Sequence, residues 1–327
     1  LGTEFTLLKG RLDGSLEWFY RKTSDMLFFF SVAPSNGYNG FYDNVGDMVN
    51  HGVEFALSYK LIDRQDLTWS VDVNATRVRN AITKLHEQHK SAKVEGYEGY
   101  SSGTYFYGVG LPLYTRYLKS YAGPDPETGE SRWWKDVTDS AGNVTGRETT
   151  KEYSQATYYL GNNPIPELYG GLGTSFSWKG FDFAIQTSYQ LGGKSYDSGY
   201  ASLMTPPGSS VGYNFHRDVL KAWTADHPDS NIPRWQFNDV NGASQSDRFI
   251  TSASYFNIEN VNMGYTLPAR WVSKVSILSL QIYAACDNVW YWSARKGFDP
   301  RGSFSGNPST ASFVPVRTLS LGVNVKF

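Results

Sequence analysis

The closing stretch, Val316 to Phe327, limits the fold of this chain more than any other part of it. Leu319, Leu321, Val323, Val325 and Phe327 fall on one face of a strand at a period of two, while Ser320, Gly322, Asn324 and Lys326 fall on the other. Such a strand wants hydrocarbon on one side and water on the other. A soluble sandwich strand meets the same demand, so the alternation alone does not decide. An aromatic residue at the very end of the strand is more specific, and it favours the last strand of a transmembrane barrel.

Composition sharpens that choice. The 327 residues carry a net charge of −1 and only 40 % hydrophobic residues, which by averages describes a soluble protein. A membrane barrel gives the same figures, because every second strand residue faces a polar lumen and the outer loops are hydrophilic. The 10 Trp, 23 Tyr and 19 Phe make 16 % of the chain, as expected where aromatic girdles mark two membrane interfaces. A secreted carbohydrate-binding β protein shares that richness. No window reaches the length a spanning helix needs; the longest apolar run is Met26 to Phe30. A single cysteine, Cys286, rules out an internal disulfide scaffold and a cysteine zinc site. Without a basic stripe to neutralise phosphates, nucleic acid is not expected as a partner.

Read in order, the chain alternates between long strands and connections of two kinds. A β-rich run from Leu12 to Phe30 sets Leu16, Trp18 and Tyr20 against Glu17, Phe19 and Arg21. After a loop at Asn36–Gly40, Val53, Phe55, Leu57 and Tyr59 alternate with Glu54, Ala56, Ser58 and Lys60. A short turn at Asp63 and Arg64 leads to Leu67, Trp69, Val71, Val73 and Ala75 against Thr68, Ser70, Asp72, Asn74 and Thr76. Asp72 and Asn74 are costly in a packed core and natural against water. His86–Gly108 reads as loop, followed by a Tyr-rich stretch and turn chemistry at Asp125–Gly129 and Asp139–Gly142. Alternation resumes at Leu172–Trp178, turns at Lys179–Gly180, and returns through Phe181, Phe183, Ile185 and Tyr189.

A second long loop, Gly192–Arg248, holds one expected short helix, Asn214–Trp223, with Phe215, Val219 and Trp223 along one side. Val261, Met263 and Tyr265 then alternate down to Pro268; Phe256 and Ile258 carry the opposite parity, so a bulge is expected near Glu259. Leu278, Leu280, Ile282 and Ala284 form the next strand, and a third loop, about Ser293–Phe313, leads to the closing one. Long loops alternating with short turns are the asymmetry of an outer-membrane barrel. Parity then requires that the region between Ala75 and Leu172 hold no spanning strand or an even number. The expectation is a large loop with its own local hairpin. Some eight to ten strands with wet inward faces are too few to close around a wide lumen, and open edges do not survive in lipid. The chain is therefore expected to be the C-terminal portion, 1–327, of a larger antiparallel transmembrane barrel. It begins at Leu1 with no visible leader, so a signal peptide is expected to be cleaved or to lie outside it.

Several segments carry a family resemblance: Asn50-His51-Gly52-Val53-Glu54, Asp125-Pro126-Glu127-Thr128-Gly129, Ser254–Ile258 running to Leu267-Pro268, Asp287-Asn288-Val289-Trp290, Gly297-Phe298-Asp299-Pro300, and Pro315–Phe327. Together they resemble the C-terminal half of SusC-like TonB-dependent transporters from Bacteroidetes. His51 stands where a Lys is usual, and Cys286 where a small residue is usual. The resemblance implies an all-β barrel of about 22 strands, plugged by an N-terminal domain outside this chain. It also implies energy coupling through TonB–ExbB–ExbD by that missing part, a SusD-like lipoprotein lid, and Phe327 as the barrel-assembly signal. The implied activity is import of an oligomeric nutrient, glycan rather than peptide, across the outer membrane, with no cofactor. A passive porin or an adhesive barrel is the alternative.

The chemistry-bearing residues are weighed against plainer roles. His86-x-x-His89 lacks companions for a metal and reads as solvated loop. Asp125, Glu127 and Glu130 are weak calcium candidates, because turn formation already explains Asp125 and Gly129. No nucleophile elbow appears, and an enzyme is not expected. Trp133, Trp134, Tyr158 and Tyr159 in loops, and Trp290 and Trp292 near an interface, are the candidates for stacking on sugar faces. For Trp290 and Trp292 an interfacial girdle is the rival reading, and for Trp133 and Trp134 packing against the lid.

Overall fold

The computed structural model describes all residues except 209–211, 213, 240, 243 and 310–314, which include the end of the expected third loop. Its strands in chain order are β1 (Gly2–Leu7), β2 (Leu12–Ser31), β3 (Gly40–Arg64), β4 (Leu67–Leu85), β5 (Ala92–Val94), β6 (Tyr97–Ser102), β7 (Tyr105–Gly108), β8 (Thr115–Lys119), β9 (Tyr121–Pro124) and β10 (Ser131–Thr138). They continue with β11 (Val144–Thr150), β12 (Tyr158–Leu160), β13 (Leu168–Trp178), β14 (Phe181–Leu191), β15 (Lys194–Tyr196), β16 (Ile250–Ser252), β17 (Tyr255–Thr266), β18 (Ser279–Ser293) and β19 (Thr318–Lys326). Nine of these form one antiparallel sheet in the order β1-β2-β3-β4-β13-β14-β17-β18-β19. β4 pairs directly with β13, so nothing between them joins the sheet, which is the first of the two outcomes parity allows and fits the expected loop with its own local structure.

Register shows why the sheet has two unlike faces. Opposed residues of an antiparallel pair share a face, and the pairs Trp18–Val53, Leu57–Val73, Leu172–Thr187, Ile185–Val261 and Ala284–Leu321 carry one apolar face from β2 to β19. The other face carries Ser58–Asp72, Ser70–Ser175, Ala184–Asn262 and Gln281–Asn324. The expected bulge is present: between Ile258 and Asn260 the register shifts against both β14 and β18, which restores Phe256 and Ile258 to the outward face. At the turn joining β13 to β14, Lys179 and Gly180 both have positive φ, 46° and 89°, matching the twist of a two-residue hairpin. Side chains fill the gaps that inward glycines leave. The Tyr283 ring lies over Gly322, where a Cβ would fall 2.3 Å from it.

β3 runs for 25 residues, although some nine to eleven suffice to cross a bilayer. The upper ends of β2, β3 and β4 therefore stand clear of the spanning band and build a base for the loops. Here Val45, Ile82, Leu85, Tyr100, Tyr105 and Tyr107 form a buried cluster with Phe28 and Phe30 packed on it.

Three local expectations are corrected. His86–Gly108 is not simply loop, because β5, β6 and β7 pair there and β7 is wholly buried. His89 is not solvated: its ring stacks on Phe30 at 4.3 Å, and its Nε2 lies 3.4 Å from Asp43. The expected helix Asn214–Trp223 is a single 3-10 stretch, Arg217–Lys221, capped by the His216 side chain accepting from the Asp218 N–H.

Candidate functional site

At the end of the sheet opposite the short turns, the described residues of three long connections pack against one another. These connections are the insertions 86–167, 192–254 and 294–317. The Gly306 carbonyl joins all three, and Arg116 in β8 reaches it from the first. Arg116 is 1 % exposed; its Nη2 donates to the Gly306 carbonyl at 2.6 Å, its Nη1 to Thr104 Oγ1 at 3.1 Å, and its guanidinium lies 4.7 Å from the Tyr105 ring centre. Ser195 Oγ donates to the same Gly306 carbonyl at 2.8 Å. Tyr105 donates its hydroxyl to the Ser305 carbonyl and accepts from Asn307 Nδ2, both at 2.7 Å. Burial pushes the Arg116 pKa down, yet a guanidinium stays charged, so carbonyl dipoles and an aromatic face balance this cation.

Gly306 fits the clasp for a steric reason. Its φ is +76°, and a Cβ there would meet Pro164 at 2.8 Å and Arg116 Nη2 at 3.0 Å. The first two insertions are joined a second time where Asp247 accepts from Ser120 Oγ and from the Tyr121 N–H, each at 2.7 Å.

Between the second and third insertions lies a cleft of about 700 Å³ bordered by Asp197, Leu203, Arg295, Phe298, Asp299 and Arg301. Asp197 caps the short helix Ser198–Leu203 through the Tyr200 N–H and receives two bonds from Arg295, at 2.9 and 2.5 Å. Arg301 pairs with Asp299 at 2.7 Å and lies 4.4 Å from the Tyr291 ring centre. Burial opposes ionisation of Asp299, but the Arg301 hydrogen bonds prevail and hold its carboxyl below the usual range. The cleft thus presents two preformed ion pairs beside aromatic and aliphatic walls, suited to positioning a polar ligand. Arg116, Asp197 and Arg295 are not legible in the sequence because their partners are distant in the chain, whereas Arg301 pairs with Asp299 only two residues away. The Gly297–Pro300 motif was the only signal close to them.

The candidates named from sequence do not converge. Trp133 is 1 % exposed, edge-on to Tyr121 and Tyr153, and its burial leaves no face for a ligand. Trp134, 37 % exposed, is its neighbour on the opposite side of β10. Tyr158 is 42 % exposed and stacks on Tyr117 at 5.0 Å with the Lys119 ammonium 5.1 Å from its ring centre. Tyr159 donates to Asp136 and lies under Arg147. Trp290 and Trp292 pair with Ile258 and Phe256 on the outward face and are about half exposed. The sheet itself separates them from the interior, so stacking on an interior ligand has no geometric support at these two positions.

Of the acidic trio, Asp125 accepts from the Glu127 and Thr128 N–H groups, as a turn requires, and Glu130 meets Lys151 at 2.7 Å and Arg234 at 3.0 Å. The Asp125 and Glu130 carboxylates are taken up by the turn and by cations, while Glu127 contributes only its backbone N–H. Among the described residues no cluster of His, Cys, Asp and Glu is arranged to hold a metal.

No family model matches the chain. It is 24 % identical over 350 residues to TonB-dependent receptor P3 of Formosa agariphila, covering all of this chain and 33 % of that protein. It is 24 % identical over 335 residues to TonB-dependent receptor SusC of Bacteroides thetaiotaomicron, covering 31 % of it. Among solved structures, the RagAB peptide transporter superposes on the whole chain with a TM-score of 0.82 at 23 % identity, over 34 % of its own length. The "open-open" state of the RagAB peptide importer gives 0.77. The chain thus spans about a third of the length of the curated relatives it matches.

Proposed function

Because this chain belongs with the SusC-like TonB-dependent outer-membrane transporters and fits their C-terminal part, we propose that the whole protein actively imports an oligomeric nutrient, glycan in preference to peptide, across the outer membrane. Residues 1–327 supply a portion of the barrel wall and its outer mouth. TonB–ExbB–ExbD acts through a plug domain outside this chain, and a SusD-like lipoprotein covers the mouth. The observation that carries this reading is the two-faced sheet crowned by interlocked insertions. Its inward rows of Ser, Asn, Gln and carboxylate side chains suit a hydrated, hydroxyl-rich solute better than an apolar one. Trp134 and Tyr158, the two exposed aromatic candidates in the insertions, are offered as stacking contacts.

A peptide is the second reading. It is favoured by the likeness to the RagAB peptide transporter and by the paired acids and bases around the cleft.

The test is growth of a strain lacking the full-length gene on glycans or on peptides as sole carbon source. Growth lost on one or more glycans alone supports the first reading, and growth lost on peptides alone supports the second. Uptake that persists without TonB would replace active import by a passive porin. Phe327, 85 % exposed just beyond β19, is proposed as the assembly signal. Phe327→Ala is expected to lower the amount of folded protein in the outer membrane several-fold by quantitative blotting; unchanged levels would remove that role.

A further inference from the structure

Along β4 the outward series reads Leu67, Trp69, Val71, Val73 and Ala75, and then changes abruptly to Arg77 and Arg79. Register fixes where this change falls. Val53 pairs with both Trp18 and Arg77, and His51 pairs with both Tyr20 and Arg79. The arginines therefore share rows with the aromatic side chains that end the apolar band, the depth at which lipid headgroups begin.

Both arginines are exposed, and neither has a hydrogen-bond or ion-pair partner among the described residues. Lys22, one row further out, differs in being paired with Asp47 at 3.1 Å. The pairing of β13 with β4 stops at Tyr169–Thr76, so β4 runs on past it without that neighbour. A cleft of about 400 Å³ opens there beside Arg77 and Arg79, walled by Pro112, Asn163, Ile165 and Pro166. Glu167, the carboxylate bordering it, sits at the bend just before β13 and forms no ion pair with either arginine among the described residues.

Two free guanidiniums beside a part-apolar cleft, at headgroup depth on the outward face, make a site for an anion carried by a lipid. We propose that Arg77 and Arg79 bind the phosphorylated headgroup of an outer-leaflet glycolipid. Guanidinium forks match phosphate oxygens, and the cleft receives the adjoining sugar. The site rests on the outer-membrane reading above.

The experiment uses the full-length transporter, delipidated in neutral detergent, with native mass spectrometry of binding to diphosphorylated lipid A. Arg77→Gln/Arg79→Gln is expected to weaken binding about thirtyfold, and Arg77→Lys/Arg79→Lys to retain most of it. Arg64→Gln, at the turn end, serves as a control and is expected to bind like the parent. Equal binding of the double Gln variant overturns the proposal. So does equal binding of lipid A stripped of its phosphates, or full competition by inorganic phosphate, which would mark a general anion site. A heat-modifiable band on gels reports the folded barrel separately. Its absence from the unmodified protein would overturn the membrane reading and this site together, whereas a folded barrel with unaltered lipid binding overturns the site alone.

Discussion

The spanning sheet and the insertions above it solve the folding problem in opposite ways. In the sheet no core exists: one face meets hydrocarbon, the other meets water, and backbone pairing satisfies every strand between its neighbours. The insertions make a core of the ordinary kind. The most deeply buried side chains, Trp133, Arg116, Phe106, Met204, Ser195 and Ser246, lie in them, and Ile82 lies in the overhang of β4. The lesson is that stability in the sheet is a matter of which face a residue takes, while in the insertions it is a matter of which distant residue it touches.

The largest expected effect falls on that second kind of stability. Trp133→Ala removes a fully enclosed indole and should destabilise the insertions by about 3 to 5 kcal/mol. Hydrogen exchange would register the loss in 115–160 while β13 and β14 keep their protection. A uniform loss would show that the two regions are a single cooperative unit. The converse change is Val71→Arg, which places a cation in mid-span on the hydrocarbon face and should cost about 2 to 4 kcal/mol. Ser70→Arg, one residue away on the wet face, should assemble nearly as well as the parent, although it loses the Ser175 hydroxyl contact. Equal assembly yields for the two variants on heat-modifiability gels would contradict the assignment of faces.

Gly306→Ala sharpens the comparison on a smaller scale, since a Cβ collides with Pro164 and a positive φ is strained. A cost of about 1 to 3 kcal/mol should appear as faster proteolysis within 294–309 in a barrel that remains intact. The smallest effect is electrostatic. The Thr128 N–H, together with Glu127 and Lys151, holds the Asp125 carboxyl at about 2, and Lys151 followed by Thr128 lowers that of Glu130. Both folded values are depressed, so the stabilisation is complete above the ordinary carboxylate range and is lost as pH falls through the folded values, for Asp125 between about 4 and 2. Amide protection in 125–151, taken relative to the intrinsic exchange rate at each pH, should therefore fall on acidification across that window and be indifferent to change between neutral pH and about 6. Because these groups are close to solvent, added salt should shrink the effect.

What was legible in the sequence follows from the same contrast. A strand between water and hydrocarbon must alternate strictly, so Val53–Tyr59, Leu67–Ala75 and the closing strand could be read residue by residue. Even the bulge at Glu259 showed itself as a change of parity. The insertions obey no such period. Their strands are short, β5 and β12 having three residues each, and both faces of β7 are buried, so Tyr105, Phe106 and Tyr107 give no alternation to detect. Trp133 and Trp134 look equivalent in the chain, yet only the fold puts one inside and leaves the other partly out. The burial of His89 is not legible in the sequence because its environment comes from Phe30 and Asp43, more than forty residues earlier. The pair of Asp197 with Arg295 likewise becomes visible only once the third insertion is laid against the second, whereas Asp299 and Arg301 pair within the third insertion itself.

The bond from Arg116 to Gly306 joins positions 190 residues apart. Such a contact closes late, because the intervening chain must be largely placed before the two ends are held near each other. Until that contact closes, the Arg116 pocket is open to water and its guanidinium hydrated, and the docking of residues 305–307 expels that water. The clasp therefore acts as a completion mark: the outer mouth acquires its rigid form only once segments 190 residues apart have met, and a molecule in which they have not exposes an open, protease-sensitive rim.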